Sequence, residues 1–216
     1  VNLIDGIDGL AASVGIIASV AFGIFFFLSG DYGYTVMAAA LLGSLLAFMY
    51  YNMSSGAKKI FMGDSGSLVI GFTLAVFAIR FNELVAAGES VLDLKSAPAV
   101  AIAILIVPLY DTLRVTFLRL RDRKSIFIGD KRHLHHMMLR AGLSHRQATL
   151  SLSLFNIFVI GIALLLDNIG ILMLGLVLLA ICLAATGILN VIVRKRVSAP
   201  PKMVKVPDIA EMTTLN

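Results

Sequence analysis

Six long apolar runs, with nearly all the charge confined to the segments between them, leave this chain few folds to adopt. A helix rising 1.5 Å per residue needs about 20 apolar residues to cross ~30 Å of hydrocarbon. The runs lie at about Leu10–Leu28, Tyr34–Tyr51, Ser67–Phe81, Pro98–Leu118, Leu150–Leu166 and Gly170–Val193. They are continuous and lack period-2 alternation, which disfavours a closed β-barrel. A soluble fold is equally disfavoured: 59% of the 216 residues are hydrophobic and 14% charged, too few polar side chains to cover a water-facing surface. The chain is therefore expected to be an all-α polytopic membrane protein with six transmembrane helices. Two regions are expected, a membrane-embedded domain over 1–193 that includes a cytoplasmic loop at 119–149, and a basic cytoplasmic tail over 194–216. The third run is short, which calls for tilt or snorkelling flanks, and a polar stretch, Asn82–Ala97, follows it. Pro108 inside the fourth run predicts a kink that neighbouring helices must tolerate by satisfying the freed carbonyl.

The net charge of +5 does not point to nucleic acid, because the basic residues sort by loop. Six crossings put alternate loops on opposite sides. Sixteen of the eighteen Lys and Arg then share one side, on the loop at Asn52–Gly66, the segment from Arg114 to Arg146 and the tail, and Arg80 and Lys95 alone fall on the other. By the positive-inside rule the rich side is cytoplasmic, together with the segment Asn2–Gly9. Cys182, inside an apolar run, reads as a small core hydrophobe. The chain opens Val1-Asn2-Leu3 without an initiator Met or a signal-peptide pattern, which reads as a fragment.

Three polar clusters border apolar runs on that cytoplasmic side. In Asn2-Leu3-Ile4-Asp5-Gly6-Ile7-Asp8-Gly9 the polar residues recur every third position and could line one face of a helical turn, where their oxygens suit Mg²⁺ or a nucleotide. The plain alternative is a helix N-cap, but two carboxylates and a carboxamide at the membrane edge are costly unless used. The second cluster, Gly63-Asp64-Ser65-Gly66-Ser67, could fold closely around a phosphate with Asp64 facing a metal; by itself such a loop is more often a turn. Lys58 and Lys59 before it favour phosphate. The third is Asp130-Lys131-Arg132-His133-Leu134-His135-His136. His133 and His136 could share a helical face, as zinc would require, but no Cys or nearby Glu completes a ligand set, and histidines among basic residues better suit a pyrophosphate and sugar. A solvated basic loop is the bland reading of this segment. Asp111 and Arg114 read as an i, i+3 structural ion pair.

With these motifs in this order, Asn-x-x-Asp-Gly-x-Asp-Gly-Leu-Ala, Gly-Asp-Ser-Gly-Ser and His-x-His-His, most of the chain resembles the polyprenyl-phosphate N-acetylhexosamine-1-phosphate transferases. This is the group that includes phospho-N-acetylmuramoyl-pentapeptide transferase and the eukaryotic dolichyl-phosphate enzyme. Leu139-Arg140-Ala141-Gly142-Leu143-Ser144-His145-Arg146 after the histidines looks like the branch that starts O-antigen, enterobacterial common antigen or teichoic acid linkage. The resemblance implies transfer of N-acetylhexosamine 1-phosphate, GlcNAc 1-phosphate first among them, from a UDP-sugar to undecaprenyl phosphate in a bacterial inner membrane, with release of UMP. It implies Mg²⁺ (or Mn²⁺) held by Asn2 and Asp64, nucleotide or metal contacts from Asp5 and Asp8, and phosphate and sugar contacts from Arg132, His133, His135 and His136. Asp64, Asp5, Asp8 and His133 are thus the catalytic candidates. Asp64 as a covalent nucleophile is a second mechanism; direct attack by the lipid phosphate is simpler, because that oxygen is already ionised. The group's adjacent Asp-Asp pair is missing, which truncation explains, so several further N-terminal helices are expected and the fragment alone should be inactive. A homodimer is the assembly considered. The competing classes are a transporter, which would place its site near the midplane between inverted repeats, and an inactive membrane scaffold.

Overall fold

A computed structural model describes residues 6–123 and 132–197, and among them all regular structure is helical. The helices are α1 (Leu10–Leu28), α2 (Tyr32–Asn52), α3 (Gly63–Ala86), α4 (Ala97–Ile104), α5 (Ile106–Arg121), α6 (Leu134–Arg140), α7 (His145–Leu165) and α8 (Ile171–Val197). Five of them are long and apolar enough to cross a membrane, and α4 with α5, bent by 82° at Leu105, makes a sixth candidate. The third helix is longer than its apolar run: the Gly/Ser-rich entry and Asn82–Ala86 are helical too, giving 24 residues. Its length removes the need for the compensation that a 15-residue span would have required. Likewise α8 continues through the basic residues Arg194–Arg196.

The break in the fourth span follows from Pro108. Proline lacks the N–H that would bond the carbonyl four residues back, and its ring crowds that carbonyl, so helix continuity fails just upstream. Pro108 sits in the first turn of α5, where no donor is missed. The freed carbonyl, that of Ile104, accepts from Asn156 Nδ2 of α7 at 3.1 Å. The neighbouring helix thus satisfies it, as the sequence requires.

Which helices lie inside is decided by packing. The apolar window of α1 is 61% buried, against 11% for α2. In α4, Ala97, Ala99, Val100, Ala101, Ala103 and Ile104 are all buried. Phe22, Phe25 and Phe26 of α1 interlock with Phe77 and Phe81 of α3, the Phe25 and Phe81 ring centroids lying 4.3 Å apart. The spacing Gly15-x-x-x-Ser19-x-x-x-Gly23 lets α2 approach α1 so closely that a Cβ on Gly15 would stand 2.6 Å from Leu45 Cδ1. The outer helices turn bare apolar faces outward, with Leu165 and Leu172 more than four-fifths exposed, a surface suited to lipid.

Polar staples mark the two ends of the bundle. At one end Arg80 Nε donates to Asp31 Oδ2 (2.8 Å), and the Asp167 carboxylate accepts from the Lys95 and Ser96 amides (2.7 and 2.8 Å). At the other, Gly9 is tied to Asn52, Asp8 to Thr149, and Asp111 to His133. The bent α4–α5 pair therefore runs from one end to the other, as a single broken span does, and with it the candidate spans number six. Arg80 and Lys95 lie at the first end, Lys59, Arg114, Arg132 and Arg146 at the second.

Candidate active site

The described part of the first polar cluster, residues 6–9, is a turn: α1 begins only at Leu10, and Gly9 precedes it with φ 76°, a left-handed conformation that glycine adopts without strain. Asn2 and Asp5 lie outside the described residues. Asp8 does not sit on a helical turn and does not cap α1, which has no side-chain cap. Its carboxylate instead accepts from Lys59 Nζ at 2.6 Å, with His145 Nδ1 at 4.0 Å, while its carbonyl accepts from Thr149 Oγ1 at 2.9 Å. Asn52, at the end of α2, joins two motif loops at once: Oδ1 accepts from Gly9 N at 2.6 Å and Nδ2 donates to Ile60 O at 2.9 Å. Ile60 lies four residues before Asp64, so the first and second clusters share one clamp.

Asp64 stands in the first turn of α3, exposed. The N-cap is Met62 and no side chain caps the helix, so the carboxylate is not used as a cap; Ser67 Oγ donates to the Asp64 carbonyl at 2.9 Å. Lys59, besides its pair with Asp8, lies 5.3 Å from the centre of the Phe61 ring. Among the described residues no group of three or more His, Cys, Asp or Glu is placed to hold a metal ion.

His133 and His136 do not share a helical face. His133 is the N-cap of α6 with extended backbone, and the helix starts at Leu134, which turns the ring of His133 onto that of His135 in parallel, centroids 5.8 Å apart at 7°. His136 is tilted against His135, with ring centroids 4.2 Å apart. His133 and His135 are buried, His136 half-buried. The two His135 nitrogens find no hydrogen-bond partner among the described residues, and burial, with the neighbouring His136, pushes this imidazole down to about 4. Its ring lies on Gly6: a Cβ there would fall 2.3 Å from Nε2, so the third cluster packs directly on the first. Arg132 Nη1 donates to Asp122 Oδ2 at 2.6 Å.

Asp111 and Arg114 are not the pair their spacing predicts. The Asp111 oxygens go to His133 Nδ1 and Leu134 N, both at 2.8 Å, and Arg114 Nη1 donates to the carbonyl of Arg132 at 2.8 Å. The i, i+3 spacing is outweighed because α6 presents both a ring nitrogen and an open helix start to the buried carboxylate.

The Glycosyl transferase family 4 model matches residues 1–82, the stretch that holds the first two clusters. The chain is 36% identical over 167 residues to decaprenyl-phosphate N-acetylglucosaminephosphotransferase of Mycobacterium leprae (strain TN), covering 72% of this chain and 42% of that protein. It is 31% identical over 155 residues to undecaprenyl-phosphate alpha-N-acetylglucosaminyl 1-phosphate transferase of Escherichia coli (strain K12), covering 71% and 40%. The chain belongs to glycosyl transferase family 4. It spans about two fifths of the length of these curated relatives, and no solved structure matches it. In this family 4 chain, sequence reasoning passed over Asn52, Thr149 and His145 as members of the site, and it placed Lys59 beside a phosphate without its pairing to Asp8. Asn52 alone left a signal, as a carboxamide closing an apolar run. The others are joined to Asp8 across 51, 141 and 137 residues, and nothing local marks such a pairing.

Proposed function

We propose that the protein transfers N-acetylglucosamine 1-phosphate from UDP-GlcNAc to a polyprenyl phosphate, releasing UMP, with its polar bundle end at the cytoplasmic face of a bacterial inner membrane. Two similarities carry this reading: the relatives named above are polyprenyl-phosphate GlcNAc-phosphate transferases, and the three motif segments of this chain meet at one end of the bundle. A transporter, which needs free polar groups at a broken helix, is not favoured, since the carbonyl freed at the break is already taken by Asn156.

In the reaction an oxygen of the lipid phosphate attacks the phosphorus that bears the sugar, and the bond from that phosphorus to the bridging oxygen breaks, leaving the electron pair on UMP. Mg²⁺ bound with the pyrophosphate supplies charge neutralisation as that bond opens. The donor set fits it: Asp64 offers a hard, exposed carboxylate oxygen at a helix start, and Mg²⁺ is commonly held by one or two carboxylates plus substrate phosphates, without an all-protein cage. Asn2 is the second proposed ligand. Asp8, kept in place by Thr149 and Lys59, is set to hold the nucleotide with Asp5. Lys59, five residues before Asp64, is placed by this reading to turn from Asp8 to a phosphate. His133, His135, His136 and Arg132 line the sugar and phosphate side, and the neutral His135 makes this wall without adding charge.

The test is Asp64→Asn in the full-length enzyme with undecaprenyl phosphate and a panel of UDP-sugars, following UMP release across a Mg²⁺ titration. Loss of about 3 to 4 kcal/mol of transition-state stabilisation should slow turnover roughly 10²- to 10³-fold. The melting temperature should stay unchanged, since this carboxylate caps nothing. Wild-type turnover at limiting Mg²⁺ would remove the metal assignment.

A further inference from the structure

A carboxylate buried beneath the histidine helix has no part in the chemistry above. Asp111, on α5, is 1% exposed. Burying a carboxylate is costly unless its lone pairs are used, and here both oxygens are: Oδ2 lies 2.8 Å from His133 Nδ1, and Oδ1 accepts from the amide of Leu134 at 2.8 Å. An ionised carboxylate only accepts, so the proton of this contact sits on Nδ1 and Nε2 is left as the atom of the His133 ring that can serve a substrate. The second bond does separate work. His133 offers no side-chain cap to α6, and the Asp111 carboxylate takes the place of one from another helix. The same group thus sets the tautomer and plane of His133 and the start of α6, whose next ring, His135, rests on Gly6 of the first cluster.

We propose that Asp111 is a positioning residue for the transfer reaction, acting through His133 by fixing which ring nitrogen faces the substrate. The proposal rests on the transferase reading of His133. In the full-length enzyme in nanodiscs, Asp111→Asn keeps an oxygen for Leu134 but sets an amide donor against Nδ1, which favours the opposite tautomer. Outer partners of functional imidazoles typically matter by roughly 10- to 100-fold, and kcat should fall by that factor with the KM for undecaprenyl phosphate and the melting temperature near wild type. In a His133→Ala background the same substitution should cost nothing further. An equal fold-loss in both backgrounds, or wild-type kcat for Asp111→Asn, overturns the proposal. If His133→Ala alone turns over at the wild-type rate, the role of His133 in the transfer fails and the proposal falls with it; impaired His133→Ala with an additive Asp111→Asn defeats the positioning role alone. Should His133→Ala be too slow to assay, the cycle is read on thermal protection by UDP-GlcNAc, where additivity again overturns it. If Asp111→Asn does not fold, Asp111→Glu, which keeps the charge, replaces it under the same criterion of coupling to His133.

Discussion

The contact between His135 and Gly6 decides how the Asp-rich loop and the histidine helix fit together, and it makes two measurable demands. A methyl group on residue 6 would stand 2.3 Å from a ring that itself packs against both His133 and His136. Gly6→Ala should therefore destabilise the folded protein by about 1–3 kcal/mol, the usual cost of overpacking, seen as a lower melting temperature in detergent. The second demand concerns pH. His135 is held neutral down to about 4, through burial first and His136 next, with His133 and His145 adding to the effect and Asp111 opposing it. In the unfolded chain it protonates near its ordinary value of about 6.5, so the unfolded state binds more protons between those values. Its contribution to stability is complete above about pH 6.5 and is lost as the pH falls towards 4. Melting temperatures from pH 7.5 to 4.5 should fall more steeply for the wild type than for His135→Asn, and equal slopes would contradict this account. The residue types of the site were legible in the motifs. The packing of His135 on Gly6 was not, because 129 residues separate them and neither neighbourhood changes its pattern to announce the other.

At the scale of elements, one side chain makes the broken span tolerable. Pro108 frees the carbonyl of Ile104, and Asn156, fully buried, donates to it. Asn156→Leu would leave that acceptor without a partner among apolar helices, a cost of about 1–3 kcal/mol that should appear as a lowered melting temperature with the number of crossings unchanged. A substitution of equal size at exposed Leu172 serves as control and should be silent. The proline was readable and predicted a kink; the right-angle turn, and the helix that supplies the donor, came from packing. α6 shows the same division. Its histidines are plain in the sequence, but its register is set from outside, by Asp111 at its start and by Arg196 of α8, which donates to the carbonyl of Ala141 at its end.

For the whole molecule, the ends of the bundle differ in charge in the way the loops predict. A reporter fused after Asn216 should be active in the cytoplasm, and one inserted at Gly88–Glu89 only on the opposite side; the reverse pattern would separate the motif residues from a cytoplasmic nucleotide sugar. The amino-acid sequence alone determined the all-helical membrane class, the apolar runs that become candidate spans and the motif segments gathered at one end, because span length, charge between spans and turn chemistry are local properties of a chain in a bilayer. Tertiary structure alone decided that α1 and α4 lie inside while α2 faces outward, since these runs are apolar on every side and lipid is as apolar as a protein core. It also decided that Lys59 serves Asp8 and that Asp111 serves His133 in place of Arg114. Such pairings depend on which buried polar groups have no water to turn to once the helices are packed, and that condition exists only in the assembled fold.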